Sequence, residues 1–197
     1  MRDQPAALQS TTGETMALEG VGAHGHVRGL LFELAVEQRY RNPHRTNVEA
    51  VYTFPLPVEA VLLDLEITLG ERRLVATVVE KKQAERDYEP AIDKGDTAPM
   101  LERAGDGPCT LNLGNLMAGE SATIRYRYAQ LLRFEHGSVR LAIPTVIAPR
   151  YGNPKSARLP AHQVPTNDLA VAYPFSLTLD LEGEIAKGIV ASPSHAI

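Results

Sequence analysis

Apolar and polar residues alternate with a period of two along most of this chain, and that period sets the first expectation. Between positions 30 and 40 the even positions carry Leu30, Phe32, Leu34, Val36 and Tyr40, while Glu33, Glu37 and Arg39 hold odd ones. Successive side chains of a strand point to opposite faces, so this row predicts a half-buried strand. Ala50, Tyr52 and Phe54 repeat the pattern until Pro55 and Pro57 remove two ladder donors and end it. Val61, Leu63, Leu65, Ile67 and Leu69 predict the next inward row, with Asp64, Glu66 and Thr68 outward. A turn at Gly70-Glu71 then leads into a strand over 74–79, forming a hairpin. Ala122, Ile124, Tyr126 and Tyr128 face inward against Thr123, Arg125 and Arg127. Val139, Leu141 and Ile143 follow before Pro144, and Phe175, Leu177, Leu179 and Leu181 alternate with Ser176, Thr178, Asp180 and Glu182. Many short strands separated by Gly and Pro predict a mainly β chain folded as an antiparallel β-sandwich.

One segment follows a different period. Ala84, Tyr88, Ala91 and Ile92 recur at the spacing of one helix face, which predicts one helix over about residues 80–94. Gly95 stands where a C-terminal cap belongs. Pro90 would lose a hydrogen bond and clash with the carbonyl of Arg86, so the helix is kinked there or ends near Tyr88. The expected organisation is an N-terminal arm over 1–19, a sandwich over 20–152, a proline-rich connection over 153–168, and extra strands over 169–197 that begin a following β-region. A chain ending in ASPSHAI without a closing cap suggests a piece of a longer protein.

Composition narrows the function classes. The 197 residues carry 20 Lys+Arg against 24 Asp+Glu, a net charge of −4. No basic stripe dominates: the clusters Arg39, Arg41, Arg45 and Lys81, Lys82, Arg86 are interleaved with acids, so a nucleic-acid partner is not expected. Charge-free stretches such as 141–149 are far too short to span a bilayer as a helix. A single cysteine, Cys109, forbids an internal disulfide, and no secretory leader opens the sequence; location stays open, leaning to the cytoplasm.

Candidate chemistry is sparse. Residues 20–25 (GVGAHG) spell the glycine pattern of a dinucleotide loop, but that mechanism needs a helix to start at the last glycine, and the following residues alternate as a strand. A turn is the expected reading. His24 and His26 share one strand face yet lack further ligands at metal-binding spacing, so no metal or other cofactor is expected. No G-x-S-x-G elbow occurs, Cys109 precedes Leu111 and Leu113 in a strand, and Asp93, Asp96 and Asp106 read as cap or turn residues. An enzyme using His162 or Cys109 is the third-ranked function, and no catalytic residue is assigned.

The order of segments carries more. QRYRN at 38–42, VEAVYTFPLP at 48–57, EKKQAERDYEPA at 80–91, GDTA at 95–98, LGNLMAGE at 113–120, the strand ending at Tyr128, and IPTVIAPRY at 143–151 together resemble the VIT domain, the vault protein/inter-alpha-trypsin module. The resemblance covers roughly residues 20–152 and implies a β-sandwich carrying a helix, with no catalytic residue of its own. Its signature falls here on Asn42, Glu49, Tyr52, Phe54, Pro55, Leu56, Pro57, Ala84, Tyr88, Gly95, Gly114, Asn115, Leu116, Tyr128, Pro144 and Tyr151. Pro90 departs from the pattern, which usually has a helix former there. The resemblance implies a non-catalytic module for protein–protein contacts beside a von Willebrand factor A domain, whose Asp-x-Ser-x-Ser motif is not in these residues. The tail at 191–195 is similar to the segment leading to that domain in bacterial members. A glycan-binding sandwich is the runner-up, predicting an exposed aromatic row. Glu49, on an outward position, is expected to pair with a helix base such as Lys81 or Arg86.

Overall fold

In a computed structural model, residues 4–5, 7–11, 14–76, 101–103, 109–143, 146–147, 173–193 and 197 are described. The helix expected over 80–94, with Ala84, Tyr88 and Gly95, lies outside the described residues, as do Pro144, Tyr151 and His162. The described strands are β1 (Gln4–Pro5), β2 (Ala7–Ser10), β3 (Ala17–Arg28), β4 (Leu31–Arg41), β5 (Val48–Phe54), β6 (Val61–Leu69), β7 (Arg72–Ala76), β8 (Leu101–Arg103), β9 (Cys109–Leu116), β10 (Ser121–Leu131), β11 (Phe134–Glu135), β12 (Ser138–Val139), β13 (Val146–Ile147) and β14 (Phe175–Glu182). A short 3-10 turn, Gly183–Lys187, follows β14.

Two sheets build the sandwich. One has the order β14-β3-β4-β10-β6-β7 and the other β2-β5-β9-β8. Their inner faces share one core, in which Phe32, Leu34, Tyr40, Leu65, Ile67, Ile124 and Tyr128 of the larger sheet meet Leu8, Ala50, Tyr52, Phe54 and Leu111 of the smaller. Aromatic rings cross between the layers: Phe54 lies 4.7 Å from Tyr126 and Tyr40 lies 6.2 Å from Tyr52, centroid to centroid. Each such ring, once buried, contributes about 1.5–3 kcal/mol. The mainly β sandwich read from alternation is therefore the observed architecture.

Several sequence expectations need correction. The sheets are not wholly antiparallel, because β14 runs parallel to β3 from Phe175↔Val21 to Glu182↔Arg28. The arm 1–19 and the tail 169–197, set outside the sandwich by the sequence, each supply a strand to it: β2 pairs with β5, and β14 borders β3. GVGAHG is neither a phosphate loop nor a turn but lies within β3. Gly25 is there for close approach: a Cβ at that position would stand 2.5 Å from the Leu179 side chain and 2.9 Å from Phe32.

Along β6 the phase also breaks. Leu65, Ile67 and Leu69 are buried as expected, but Val61 and Leu63 are exposed and Leu62 is buried. A bulge between Arg127 and Tyr128 of the facing strand pairs Arg127 with Asp64 but Tyr128 with Leu62, which leaves Leu63 as an extra residue. One extra residue reverses every side chain beyond it. Phe175, Leu177 and Leu179 are half exposed, because β14 is the border strand of a six-stranded sheet facing one of only four. The row Val139, Leu141, Ile143 is a strand only at Ser138–Val139, although all three residues pack partly against the core. The Gly70-Glu71 hairpin forms as expected, with Leu69 paired to Arg72.

Candidate functional site

Five of the described signature residues, Asn42, Glu49, Gly114, Asn115 and Leu116, gather at one end of the sandwich, where three connections meet. Asn42 closes β4 and is fully buried. Its Nδ2 donates to the carbonyls of Thr46 (3.0 Å), Met117 (3.0 Å) and Leu116 (3.3 Å), and its Oδ1 accepts from the His44 amide at 3.0 Å. The Asn42 backbone N–H donates to Glu120 O at 2.9 Å. A short amide side chain thus satisfies a loop on one strand pair and a turn on another.

Facing it, Glu120 accepts the Met117 amide at 2.8 Å and sits 3.4 Å from Arg72 Nη2. Arg72 also donates to Asn115 O at 2.6 Å, and Asn47 Oδ1 accepts the Ala118 amide at 3.0 Å. Gly70 completes the cluster: its φ is +54°, and a Cβ there would lie 2.4 Å from Glu120 Oε1. Gly114, at φ +70°, gives its amide to Asn112 Oδ1 (2.8 Å) where β5 and β9 shift register. Leu116 is buried beneath this end, and Asn115 is exposed. Glu49 is exposed and accepts from Asn112 Nδ2 at 3.1 Å. Lys81 and Arg86, its expected partners, lie outside the described residues.

The other signature residues line the interior. Tyr52, Phe54, Leu56 and Tyr128 are buried, while Pro55 and Pro57 lead the chain out of β5 half buried. Sequence reasoning missed the polar centre of this interior. Gln38 is buried on the core face of β4, where its Oε1 accepts hydroxyl hydrogens from Tyr52 (2.7 Å) and Tyr40 (3.0 Å). Burial, then neighbouring tyrosines, pushes the Tyr40 and Tyr52 hydroxyls well above the usual phenol range; burial does the same for Tyr126 and Tyr128. They are core residues, not acids or bases at neutral pH; Tyr40 and Tyr52 hydrogen-bond to Gln38, whereas the buried Tyr128 hydroxyl has no hydrogen-bond partner. The missed signal was a glutamine in an otherwise apolar row.

His24 and His26 face acids on β14 rather than a metal. His24 Nε2 stands 2.6 Å from Asp180 Oδ2, and His26 Nε2 2.9 Å from Glu182 Oε1. Arg28 Nε also reaches Glu182 at 2.9 Å, and this hydrogen bond holds the Glu182 carboxyl below the usual carboxylate range. No group of three or more His, Cys, Asp or Glu among the described residues could hold a metal ion. Cys109 is buried opposite Phe54. No described helix is long and apolar enough to cross a membrane.

What this end can do chemically is hold backbone: amides and one carboxylate fix carbonyls and N–H groups of three connections. The class defined is a two-sheet sandwich whose shared residues serve packing and loop fixation. The chain belongs to the VIT family: the profile for the vault protein inter-alpha-trypsin domain matches residues 18–128, more than half of it. It is 28% identical over 184 residues to human von Willebrand factor A domain-containing protein 5A, covering 88% of this chain and 23% of that protein. Mouse protein mono-ADP-ribosyltransferase PARP4 is 23% identical over 195 residues, covering 98% of this chain and 10% of the relative. A von Willebrand factor A domain-containing protein of Dictyostelium discoideum is 34% identical over 87 residues, 44% of this chain and 9% of that one. The chain therefore spans a quarter or less of these relatives. An M1 zinc metallopeptidase structure from Deinococcus radiodurans aligns at TM-score 0.37 and 12% identity, covering 84% of this chain and 32% of that one; a likeness so slight carries no argument.

Proposed function

We propose that this chain is a non-catalytic protein-interaction module working beside a von Willebrand factor A domain of the same polypeptide. The observation that carries this reading is the family match over residues 18–128, in a chain whose relatives include several proteins named for that second domain. The chemistry at the signature end agrees with it. Asn42, Glu120 and Arg72 spend their polar groups on backbone and on each other, and among the described residues no nucleophile stands beside a base there. Rigid loop ends of a sandwich are surfaces on which partners dock.

Two steps test the reading. The parent gene, read beyond the codon for Ile197, should continue into a domain with Asp-x-Ser-x-Ser. That domain, expressed separately, should co-purify with this chain. A gene lacking the motif, or two parts that ignore each other at high micromolar concentration, would remove the reading. The glycan alternative has less support: Phe134 and Phe175, the exposed phenylalanines among the described residues, stand on different sheets and form no row.

A further inference from the structure

Strand β14 is fastened to the sandwich less by burial than the other long strands are. Phe175, Leu177 and Leu179 remain 37–41% exposed and Leu181 is half buried, whereas the inner rows of β4 and β10 are buried. Among the described strands its neighbour in the sheet is β3 alone, and the two run parallel. Parallel pairing is slightly weaker per residue than antiparallel pairing. On the outer face of the same two strands, charged groups meet.

His24 Nε2 stands 2.6 Å from Asp180 and must donate there, because a carboxylate only accepts. His26 Nε2, 2.9 Å from Glu182, is buried without an aligned hydrogen bond, so its hold on that carboxylate is one of charge. Arg28 Nε reaches the other Glu182 oxygen at 2.9 Å. Across β3, strand β4 places Glu33 opposite His26 and Ala35 opposite His24; Glu37, opposite Gly22, is taken by Arg125 at 2.8 Å. On β14, Thr178 is opposite His24 and Asp180 opposite His26. Asp180, Glu182 and Glu33 thus share one permanent cation, Arg28, and a proton on each of the two imidazoles would balance the face. The coupling is visible at Glu182, whose carboxyl is held low first by the hydrogen bond from Arg28 and further by the charge of His26.

We propose that β14 is a border strand whose docking is controlled by protons: charged His24 and His26 clasp it to β3, and neutral ones loosen it. Histidine changes charge between about pH 5 and 8, whereas carboxyl groups do so near about pH 4, so falling pH reaches the imidazoles first. The attraction is present on the acid side of the histidine range and fades as pH rises through it. Arg28 keeps its charge throughout, so the change is a shift of population between a docked and a loosened strand. Loosening bares the edge of β3, a row of N–H and C=O groups open to another strand. This device stands on the geometry of β3 and β14 and not on the interaction reading above.

Hydrogen–deuterium exchange of the full 197-residue chain, resolved by residue with NMR and divided by the intrinsic rate at each pH, tests it. Protection of the β14 amides, referred to those of β10 in the same chain, should fall about three- to tenfold from about pH 5.5 to 8, the scale of two exposed ion pairs. The slope should vanish in the His24→Gln/His26→Gln double variant, and Asp180→Asn should leave only the part due to His26. His136→Gln, on the β11–β12 turn, should leave it unchanged. Protection of β10 should stay at the wild-type level in every variant, which separates a loosened border strand from a weakened fold. Flat β14 protection over this range in wild type overturns the proposal, and so does a slope that survives both histidine changes. A loss shared equally by β10 overturns it too, since the whole fold would then be responding.

Discussion

Asn42 shows how one side chain can hold an end of a fold. Its amide hydrogens serve three carbonyls from two different connections, so truncation strands several buried acceptors together. Asn42→Ala should cost about 2–4 kcal/mol by urea unfolding, the sum of one to two unsatisfied buried groups. Gln38 is the same device in the core. Gln38→Leu keeps the volume but leaves the Tyr40 and Tyr52 hydroxyls without their acceptor, and should cost about 2–4 kcal/mol. At Gly70 the problem is steric and conformational at once. Gly70→Ala should destabilise by about 1–3 kcal/mol, and adding Glu120→Ala should recover the part due to the 2.4 Å approach while leaving the cost of the positive φ.

Among elements, β6 makes the sharpest comparison between sequence and structure. Strict alternation places Leu63 inside; the bulge opposite Arg127 and Tyr128 places Leu62 there instead. Leu62→Asp should therefore destabilise by about 3 kcal/mol or more, and Leu63→Asp by about 0.5 kcal/mol or less. The reverse order would restore the regular register. Alternation was legible wherever a strand had one buried face, as in β4 and β10, because side-chain period and burial then coincide. It failed at the bulge, which is a property of pairing rather than of composition. It failed also at β5, where Val51 and Thr53 are buried along with Tyr52 and Phe54. Parallel pairing of β14 had no local signal, since its partner β3 lies some 150 residues earlier. The signature end was legible only as a set of residues; that Asn42 joins 42–47 to 116–120 depends on long-range register. Gln38 and Glu120 stand inside the quoted motifs but received no role, because a polar residue in an apolar row and a glutamate after a turn have many commoner uses.

For the whole molecule, charge and burial give opposite pH limits. Glu182 and Glu66 are held below the usual carboxylate range, chiefly by hydrogen bonds from Arg28 and Arg73. A depressed carboxyl stabilises the fold above its unfolded value and loses that contribution as pH falls through the folded one. Stability should thus decline below about pH 4.3, modestly because both pairs are exposed, and Glu182→Gln should lessen the slope. The buried tyrosines act at the other limit. Their raised values stabilise the fold below the ordinary phenol range, and that contribution disappears as pH rises past about 10. Ultraviolet titration should find Tyr40, Tyr52, Tyr126 and Tyr128, four of the seven tyrosines, silent until the chain unfolds. Four phenols ionising freely in a folded chain would contradict the aromatic core.

The interaction reading makes its own demand on the intact protein. Isothermal titration of this chain with the von Willebrand factor A region that the reading proposes in the same polypeptide tests that reading most directly. Saturable one-to-one binding at micromolar or lower concentration, with a thermal midpoint that rises as the second component is added, is the predicted result. No heat and no shift in midpoint at high micromolar concentration of both would contradict it.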